Sequence, residues 1–411
     1  MSSTICRMPL LLILLAAFAG RAVTAVALQQ YLDRRPGQSF LIEGDANGYW
    51  ELGRQLATGA PYEIYQPPRR VLRMPGFPAF LALSMTLAGE SFLFARLLQA
   101  AVGTAACWLT YLLGKDLFSM RTGLWAAALT AVLPTLVGFS VVLLSETLFA
   151  TALLASLWFM ARLIRIGFDP ERRYRAIGWS LAVGIGCVAA SYVRPSWLLS
   201  GPLFAVFYFG LSAHKWQTAL RGGLVVATMF LLLLPWAIRN RQVTGHWVFT
   251  TLWVGPSLYD GLNPQATGES NMTFFDRDHL MTQMPEYDVD QYYRKRAWEF
   301  VRTHPARTLQ LAAIKFGRYW KPWPNATRFQ SGLLRAAVAV PFIVILLLSV
   351  RGGWLYRDRF AALALAAGPI LYFTAVHIVF IGSLRYRLPA EYPLCVLAAA
   401  GIVGKSSRSR V

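Results

Sequence analysis

Acidic residues are few in this sequence, so the positions of two of them are informative. Asp45 lies in GDANGYWELG, ahead of a short helical pattern, and Glu146 lies in VVLLSETLFA, where two apolar segments meet. Either carboxylate could cap a helix, because its oxygens accept hydrogen bonds from the first free backbone N–H groups. Either could instead do acid–base chemistry in a polar cavity. We predict both as catalytic-site residues, with capping as the alternative.

Five arginines are predicted at the same level as these acids. They are Arg73 in RMPGFP, Arg194 in YVRPSW, Arg239 in PWAIRNR, and Arg385 and Arg387 in RYRLPAEYP. A single arginine at a membrane boundary is often only an anchor with its stem in the apolar zone. Five arginines from four distant stretches favour a phosphate site, because a guanidinium holds phosphate oxygens with two hydrogen bonds. We therefore predict them as substrate-binding residues.

Tyr49 is the aromatic residue closest in the sequence to the first acid, and we predict it as a substrate-binding residue. The alternative is an ordinary place in the aromatic belt of a membrane interface. Metal binding is not indicated, since the four cysteines and five histidines are scattered and have no zinc-site spacing.

The composition indicates that a membrane holds these residues in place. Of the 411 residues, 56% are hydrophobic and only 15% are charged, whereas about a quarter are charged in soluble domains. Residues 122–144 are an uncharged run of 23 residues, long enough to cross a bilayer as a helix. We predict an all-α polytopic membrane protein with about 10 transmembrane helices, at residues 8–28, 92–114, 122–144, 147–161, 176–193, 196–213, 222–238, 336–350, 360–380 and 388–404.

The orientation follows from the distribution of lysine and arginine. The five predicted cytoplasmic segments are 115–121, 162–175, 214–221, 351–359 and 405–411, and together they hold 15 basic residues in 45. Residues 30–74 of the first outer loop hold six in the same length. The positive-inside rule therefore places the N-terminus inside. The net charge of +20 is explained by these loops and anionic lipid, which excludes nucleic acid as the expected partner.

Two further apolar segments are not counted as spans: the first would place the adjacent loops against the charge rule, and the second is too short and carries basic residues. Segment 75–89 contains two prolines, and segment 309–320 contains Lys315 and Arg318. We interpret the first as a re-entrant or membrane-surface helix and the second as an interfacial helix. Residues 1–404 then form one integral-membrane domain with outer loops 30–91 and 239–335, followed by a short basic cytoplasmic tail, 405–411.

The ordered set of motifs resembles a known superfamily. DANGYWELGRQLATG with PY, RMPGFPAFLAL, LLSETLF, YVRP, PWAIRN and RYRLPAEYP follow one another as in the GT-C membrane glycosyltransferases. The likeness is strongest to bacterial relatives of protein O-mannosyltransferases and lipid A aminoarabinose transferases, and it covers most of residues 30–395. The resemblance implies that Asp45 is the catalytic base, that Glu146 lines its cavity, and that Arg73 and later basic residues contact a lipid phosphate.

The resemblance also implies a reaction. A sugar would move from a polyprenyl-phosphate donor to a hydroxyl of a lipid, protein or polysaccharide acceptor, with inversion, on the extracytoplasmic face of the inner or plasma membrane. Asp45 is followed by Ala46 and not by a second acid, which weakens the case for a metal site. The sequence therefore assigns no definite cofactor, and a divalent cation is left open. The sequence lacks a WWD motif and ends seven residues after its last predicted span, which favours transfer of a single sugar.

The alternative function is a transporter or flippase of lipid-linked sugars. It predicts acids at mid-membrane within helices, together with inverted repeats.

Overall fold

The structure, a computed structural model, describes residues 7–324 and 331–405 of the chain. Within these ranges the backbone forms helices and connecting turns without a β-strand, which confirms the predicted all-α class. The helices up to residue 166 are α1 (Arg7–Asp33), α2 (Asp45–Thr58), α3 (Gly76–Ala88), α4 (Phe92–Leu117), α5 (Met120–Val132), α6 (Pro134–Phe139) and α7 (Glu146–Ile166). The later helices are α8 (Arg173–Val193), α9 (Ser200–Leu211), α10 (Lys215–Thr244), α11 (Val254–Gly261), α12 (Thr273–Asp278), α13 (Glu286–Thr303), α14 (Pro305–Trp320), α15 (Gly332–Leu355), α16 (Phe360–Val379) and α17 (Leu384–Val403).

Seven of these helices are long and apolar enough to cross a membrane, namely α1, α4, α7, α8, α10, α15 and α16. The other three predicted spans also correspond to helices. One is divided at Leu133 into α5 and α6, because the following Pro134 cannot continue the hydrogen bonding of α5. Another begins as a 3₁₀ turn before α9, and α17 contains charged residues and two prolines. The polytopic fold is confirmed, and the count of about ten spans stays a prediction.

Helix α3 does not carry the chain across the bundle. Arg96, near the start of α4, donates hydrogen bonds to the side chain of Gln29 at 3.1 Å and to the carbonyl of Ser39 at 3.3 Å. The end of α1 and the start of α4 therefore lie on the same side. Helix α3 packs against α2 and contributes Phe77 and Leu81 to the core, as expected of a short surface or re-entrant helix.

Helix α14 buries a single stripe of residues spaced by four: Leu311, Lys315 and Tyr319. The Lys315 ammonium donates to the carbonyls of Gly261 at 3.1 Å and Val379 at 2.6 Å, the last residues of α11 and α16. Burial lowers the pKa of Lys315 to about 8. The ammonium thus complements the negative ends of two helices and fixes α14 beside them, as expected of an interfacial helix.

The predicted cytoplasmic segments contact one another in the structure. Asp116 pairs with Arg165 at 2.5 Å, the Phe118 and Tyr356 rings lie 4.8 Å apart, and Arg221 donates to the carbonyl of Gly167 at 2.8 Å. Lys405 pairs with Asp358 at 2.8 Å. All five segments therefore share one face of the bundle, although residues 406–411 of the predicted tail lie outside the described residues.

The two outer loops also join, at the opposite end of the bundle. The Glu286 carboxylate accepts hydrogen bonds from the backbone N–H groups of Arg70 at 2.8 Å and Val71 at 3.2 Å. The N–H of Leu252 donates to the carbonyl of Val71 at 2.9 Å. The second loop thus packs over the first, and together the two loops cover the helix ends on this side of the bundle.

Helix α17 is the centre of the bundle and is buried along nearly its whole length. It packs closely on α15, where a Cβ at Gly352 would lie 2.1 Å from the carbonyl oxygen of Leu397, and one at Gly401 would lie 2.2 Å from that of Leu348. Small residues let helix backbones approach in a membrane, where packing replaces the hydrophobic effect as the driving force. These contacts hold the C-terminal part of α17 against α15.

Single cysteines introduced into a cysteine-free variant should report this topology. Thr58 and Thr267 are exposed in the two outer loops, and Asp358 lies in a predicted cytoplasmic segment. A membrane-impermeant maleimide added to intact cells should label the first two cysteines, and the third only after permeabilisation. Labelling of Asp358→Cys in intact cells would reverse the orientation.

Candidate active site

Five charged residues from five separate elements meet at the end of the bundle opposite the predicted cytoplasmic segments. Arg385, in the first turn of α17, donates from Nη1 to Asp45 Oδ2 at 2.8 Å and from Nε to Glu146 Oε1. Arg73 pairs with the other oxygen of Asp45, and Arg194 donates to Glu146 Oε1 at 2.7 Å. Arg385 therefore bridges the two acids, which lie 101 positions apart in the sequence. We call these five residues the arginine–acid cluster.

The two acids differ in their access to solvent. The side chain of Asp45 is 30% exposed, whereas that of Glu146 is 2% exposed. Both stand in the first turn of a helix, where the helix dipole favours a negative charge. Asp45 can therefore meet a substrate directly, and Glu146 lies beneath it as the partner of two arginines.

The capping interpretation of these acids is wrong. Gly44 is the N-cap residue of α2, and Asp45 is its first helical residue. Ser145 holds the N-cap position of α7, and neither cap residue makes a side-chain capping hydrogen bond. The Asp45 carboxylate is turned toward Arg73 and Arg385, because an ion pair with two guanidinium groups outweighs a bond to the helix end.

The arginines keep Asp45 ionised. Burial raises the pKa of Asp45, but the charges of Arg73 and Arg385 outweigh burial and hold that pKa well below its usual range. Burial likewise opposes the charge of Arg73, and Asp45 more than compensates, so the pKa of Arg73 is raised. At neutral pH the cluster therefore holds three positive and two negative charges.

Tyr49 lies under this cluster. Its ring is buried, packs edge-on against Phe77 with centroids 5.0 Å apart, and lies 5.3 Å from the Arg73 guanidinium. Its hydroxyl is 3.4 Å from the Ser145 hydroxyl. In this position Tyr49 supports Arg73 and the start of α7, and its predicted contact with substrate stays a prediction.

Arg387 is not brought to the cluster. It is fully buried, pairs with Glu391 at 2.8 Å, and donates to the carbonyls of Tyr319 at 2.9 Å and Lys321 at 3.0 Å. Residues 385 and 387 lie in one helix, where two positions are about 200° apart around the axis. The two arginines therefore point in opposite directions, which corrects the expectation that both face one site.

Arg239 is also separate from the cluster. It donates to the carbonyl oxygens of Arg70 at 2.6 Å and Tyr62 at 3.0 Å. These bonds tie the end of α10 to the first outer loop. The five arginines of the sequence prediction thus reduce to three in the cluster, Arg73, Arg194 and Arg385.

Two contributors to the site were missed by sequence analysis. Tyr386 lies beside the cluster, with its ring 5.3 Å from the Arg194 guanidinium and stacked on His377 at 4.4 Å. Its position in RYR was the available signal. Gln99, one of several polar residues in the span of α4, is the other.

Gln99 supports the irregular backbone that leads to Glu146. Its Nε2 group donates to the carbonyls of Phe139 at 3.3 Å, Val142 at 2.6 Å and Leu144 at 3.1 Å. Non-helical backbone inside a membrane protein must have its carbonyls bonded, because lipid supplies no donor. One buried amide group thus holds the segment that places Glu146.

Replacement of Gln99 by leucine should impair both stability and transfer. It leaves buried carbonyls without a donor, which costs about 1–3 kcal/mol, and it frees the segment before Glu146. Thr110→Val is the matched control, since the Thr110 hydroxyl is equally buried in α4 but bonds only the Ala106 carbonyl of its own helix. The temperature of thermal unfolding and the turnover rate should both fall for Gln99→Leu, and both should fall much less for the control. Equal effects would remove the special role of Gln99.

The residues present do not fit a metal ion. Among residues 7–324 and 331–405, no three His, Cys, Asp or Glu side chains come together as a ligand set. Both oxygens of Asp45 face guanidinium groups, whose charge repels a cation. We derive no step through a metal, and the divalent cation left open by the sequence stays a prediction.

Comparison with protein families gives a match for part of the chain. Residues 72–239 match the family described as Dolichyl-phosphate-mannose-protein mannosyltransferase. This range contains Arg73, Glu146 and Arg194, whereas Asp45 and Arg385 lie outside it. No protein with a curated description matches the chain significantly.

Eighteen chains of solved structures match the fold. Archaeal oligosaccharyltransferase AglB from Archaeoglobus fulgidus, in complex with an inhibitory peptide and a dolichol-phosphate, is 14% identical with a TM-score of 0.56, over 95% of this chain and 50% of that chain. The apo form of the Archaeoglobus fulgidus oligosaccharyltransferase is 13% identical with a TM-score of 0.58, over the same shares. ArnT from Cupriavidus metallidurans bound to undecaprenyl phosphate is 16% identical over 98% of this chain and 78% of that chain, with a TM-score of 0.45, too low to support a fold argument.

The chain thus shares its fold with these oligosaccharyltransferase structures, and the predicted resemblance to the GT-C membrane glycosyltransferases is confirmed. Residues 72–239 match the model of the dolichyl-phosphate-mannose-protein mannosyltransferase family, which is less than half of the chain. The chain spans about half the length of the oligosaccharyltransferase structures that it matches.

Proposed function

We propose that this protein is a glycosyltransferase that moves a single sugar from a polyprenyl-phosphate donor to an acceptor hydroxyl. The observation that carries the proposal is Arg385, which bonds Asp45 and Glu146 at once while Arg73 and Arg194 flank them. An ionised carboxylate and an excess of positive charge thus meet at one end of a membrane bundle. These are the two components that transfer from a lipid phosphate requires.

The arginines would bind the donor phosphate. Three guanidinium groups face two carboxylates, so the cluster has a net charge of +1 and N–H groups to spare. Each guanidinium presents five donors in a planar fork that matches phosphate oxygens. The dolichol-phosphate in the archaeal oligosaccharyltransferase structure supports a lipid phosphate as the ligand.

Asp45 would act as the general base. It takes the proton of the acceptor hydroxyl while that oxygen forms its bond to the anomeric carbon. The bond between this carbon and the phosphate oxygen breaks, and polyprenyl phosphate leaves with the electron pair, stabilised by the arginines. Displacement in one step inverts the anomeric configuration.

Donor binding would also activate this base. With its pKa held low by Arg73 and Arg385, Asp45 is ionised but a weak base in the free protein. A phosphate that takes up N–H groups of these arginines withdraws them from Asp45, so the proton affinity of the carboxylate rises when the donor is in place. Glu146 would keep Arg385 and Arg194 in position throughout, since it is buried and bonds both.

This coupling predicts a difference between two pH profiles. The profile of kcat/KM for the donor reports the free enzyme and that of kcat the bound complex. Because the pKa of Asp45 is depressed in the free protein, its carboxylate is present above that low value and is lost only at strongly acid pH. We expect no decrease of kcat/KM between pH 7 and pH 5 that is due to Asp45. If kcat decreases toward acid pH, that decrease should begin at a higher pH than the decrease in kcat/KM. An acid limb at higher pH in kcat/KM than in kcat would contradict the coupling.

The experiment that tests the function is direct. Purified protein in nanodiscs is given polyprenyl-phosphate mannose, and then other polyprenyl-phosphate hexoses and pentoses, with alkyl glycosides, glycolipids and serine peptides as acceptors. Mass spectrometry should find one added sugar, and NMR should find the anomer opposite to that of the donor. The absence of any product, together with movement of a fluorescent lipid-linked sugar between leaflets, would favour the transporter or flippase. We propose that the reaction takes place on the extracytoplasmic face of the inner or plasma membrane, because the segments at the other end of the bundle are rich in lysine and arginine, as cytoplasmic loops are.

A further inference from the structure

A cavity of about 410 Å³ opens beside the arginine–acid cluster, on the other flank of α2. Its lining includes Ser39, Asn47, Trp50, Glu51, Tyr65 and Glu90. Trp50 packs against Phe92 with ring centroids 4.4 Å apart, so the cavity has a rigid aromatic wall. Ligand pockets in proteins commonly have about 300–1,000 Å³, and this one is at the small end of that range.

The polar groups of this cavity suit a ligand rich in hydroxyl groups. Glu51 and Glu90 pair with Arg54 at 2.9 and 3.0 Å, which gives the three residues a net charge of −1. Carboxylate and amide oxygens accept hydrogen bonds from hydroxyls, and an aromatic wall packs against the apolar face of a sugar ring. The negative charge disfavours a phosphate here, in contrast to the cluster with its charge of +1.

The cavity lies within reach of Asp45. Gly48 follows Asp45 by three positions in α2, about 60° around the helix and about 4.5 Å along its axis, so it lies toward Asp45. Asn47 is about 200° around the helix from Asp45 and lines the far part of the cavity. A Cβ at Gly48 would lie 3.6 Å from the Tyr65 hydroxyl, so the tyrosine closes over the helix at this point. The rim is formed by half-exposed Tyr65, Arg54 and Glu90.

We infer that this cavity binds the acceptor, and that the acceptor is a carbohydrate whose hydroxyl is presented to Asp45. The inference rests on the proposed function, and it names the class of acceptor. The lipid-linked donor reaches the cluster from the membrane side, so the two substrates occupy opposite flanks of α2. The charges of the two sites also distinguish the two substrates. The donor phosphate binds the three arginines, and the neutral or amine-bearing acceptor sugar binds the carboxylates of the cavity.

Asn47→Ala tests the inference without disturbing the fold. The Asn47 side chain is exposed and makes no hydrogen bond to another of the described residues. Glu43→Ala is the matched control, because Glu43 is also exposed, stands two residues before Asp45 as Asn47 stands two after, and does not line the cavity. With methyl glycosides of mannose, glucose, galactose and N-acetylglucosamine as acceptors, we expect Asn47→Ala to raise the acceptor KM about five- to tenfold through one lost hydrogen bond. The donor KM and kcat should stay unchanged, and Glu43→Ala should resemble the wild type.

Binding without turnover separates this inference from the proposed function. Saturation-transfer NMR on Asp45→Asn protein should detect one of these glycosides, and Tyr65→Ala or Asn47→Ala in the same background should weaken the signal. Glycoside binding that depends on Asn47 would support the cavity even if no sugar were transferred. Three results would overturn the inference: no glycoside bound, equal binding after Asn47→Ala, or an effect of Asn47→Ala on the donor KM alone.

Discussion

Replacement of Asp45 by asparagine should stop sugar transfer while leaving the protein intact and able to bind its lipid donor. Asparagine keeps the size of the side chain and one carbonyl oxygen for Arg385, but it cannot accept a proton at neutral pH. Loss of a positioned general base costs about 10²–10⁴-fold in rate. The measurements are single-turnover transfer in nanodiscs and binding of a fluorescent polyprenyl phosphate. Donor binding should change little, because the three arginines remain.

Glu43→Gln is the control for this change, since it removes an exposed carboxylate from the same stretch of the first outer loop. It should transfer sugar at the wild-type rate. Near-normal turnover by Asp45→Asn would leave Asp45 as an ion-pair partner of Arg73 and Arg385, and would reopen the transporter interpretation. Loss of protein accumulation would instead assign Asp45 a structural role.

The sequence was sufficient for the fold class and for the two ends of the bundle. Apolar length and lysine–arginine asymmetry depend only on the solvent that each segment meets, so they survive without knowledge of packing. The same asymmetry predicted that segment 75–89 does not cross, because counting it as a span would place the adjacent loops against the charge rule; the structure has a helix there, and the end of α1 and the start of α4 lie on the same side. Asp45 and Glu146 were also found, since an acid beside an apolar segment is costly and therefore rarely without a partner.

The site itself could not be assembled from the sequence because its pairs depend on helix rotation. Arg385 and Arg387 are neighbours in RYR, but their opposite directions follow only once the helix is known to begin at Leu384. Gln99 looked like one tolerated polar residue in a span. Its importance depends on three carbonyls 40 to 45 residues away, which have no helical partner because α6 ends at Phe139 and α7 begins only at Glu146.

Arg385→Lys should give the second large effect, and on the donor in particular. A lysine ammonium keeps the charge but lacks the planar fork with which Arg385 bonds Asp45 and Glu146 together. Loss of charge-assisted hydrogen bonds costs about 1.5–3 kcal/mol, which is about a 10–100-fold loss of affinity. We therefore expect the donor KM to rise at least tenfold and kcat to fall, while the acceptor KM changes little.

Arg239→Lys is the informative comparison for this prediction. Arg239 was predicted from the sequence for the same phosphate site, but it bonds the carbonyls of Arg70 and Tyr62, away from Asp45. The donor KM of the Arg239→Lys variant should stay within about twofold of the wild-type value, since a lysine can still donate a hydrogen bond to a carbonyl. If Arg239→Lys and Arg385→Lys raised the donor KM equally, the phosphate site would extend to Arg239 and the three-arginine cluster would be incomplete. If neither did, the arginines would serve only to hold Asp45 and Glu146, and the lipid phosphate would have to bind elsewhere.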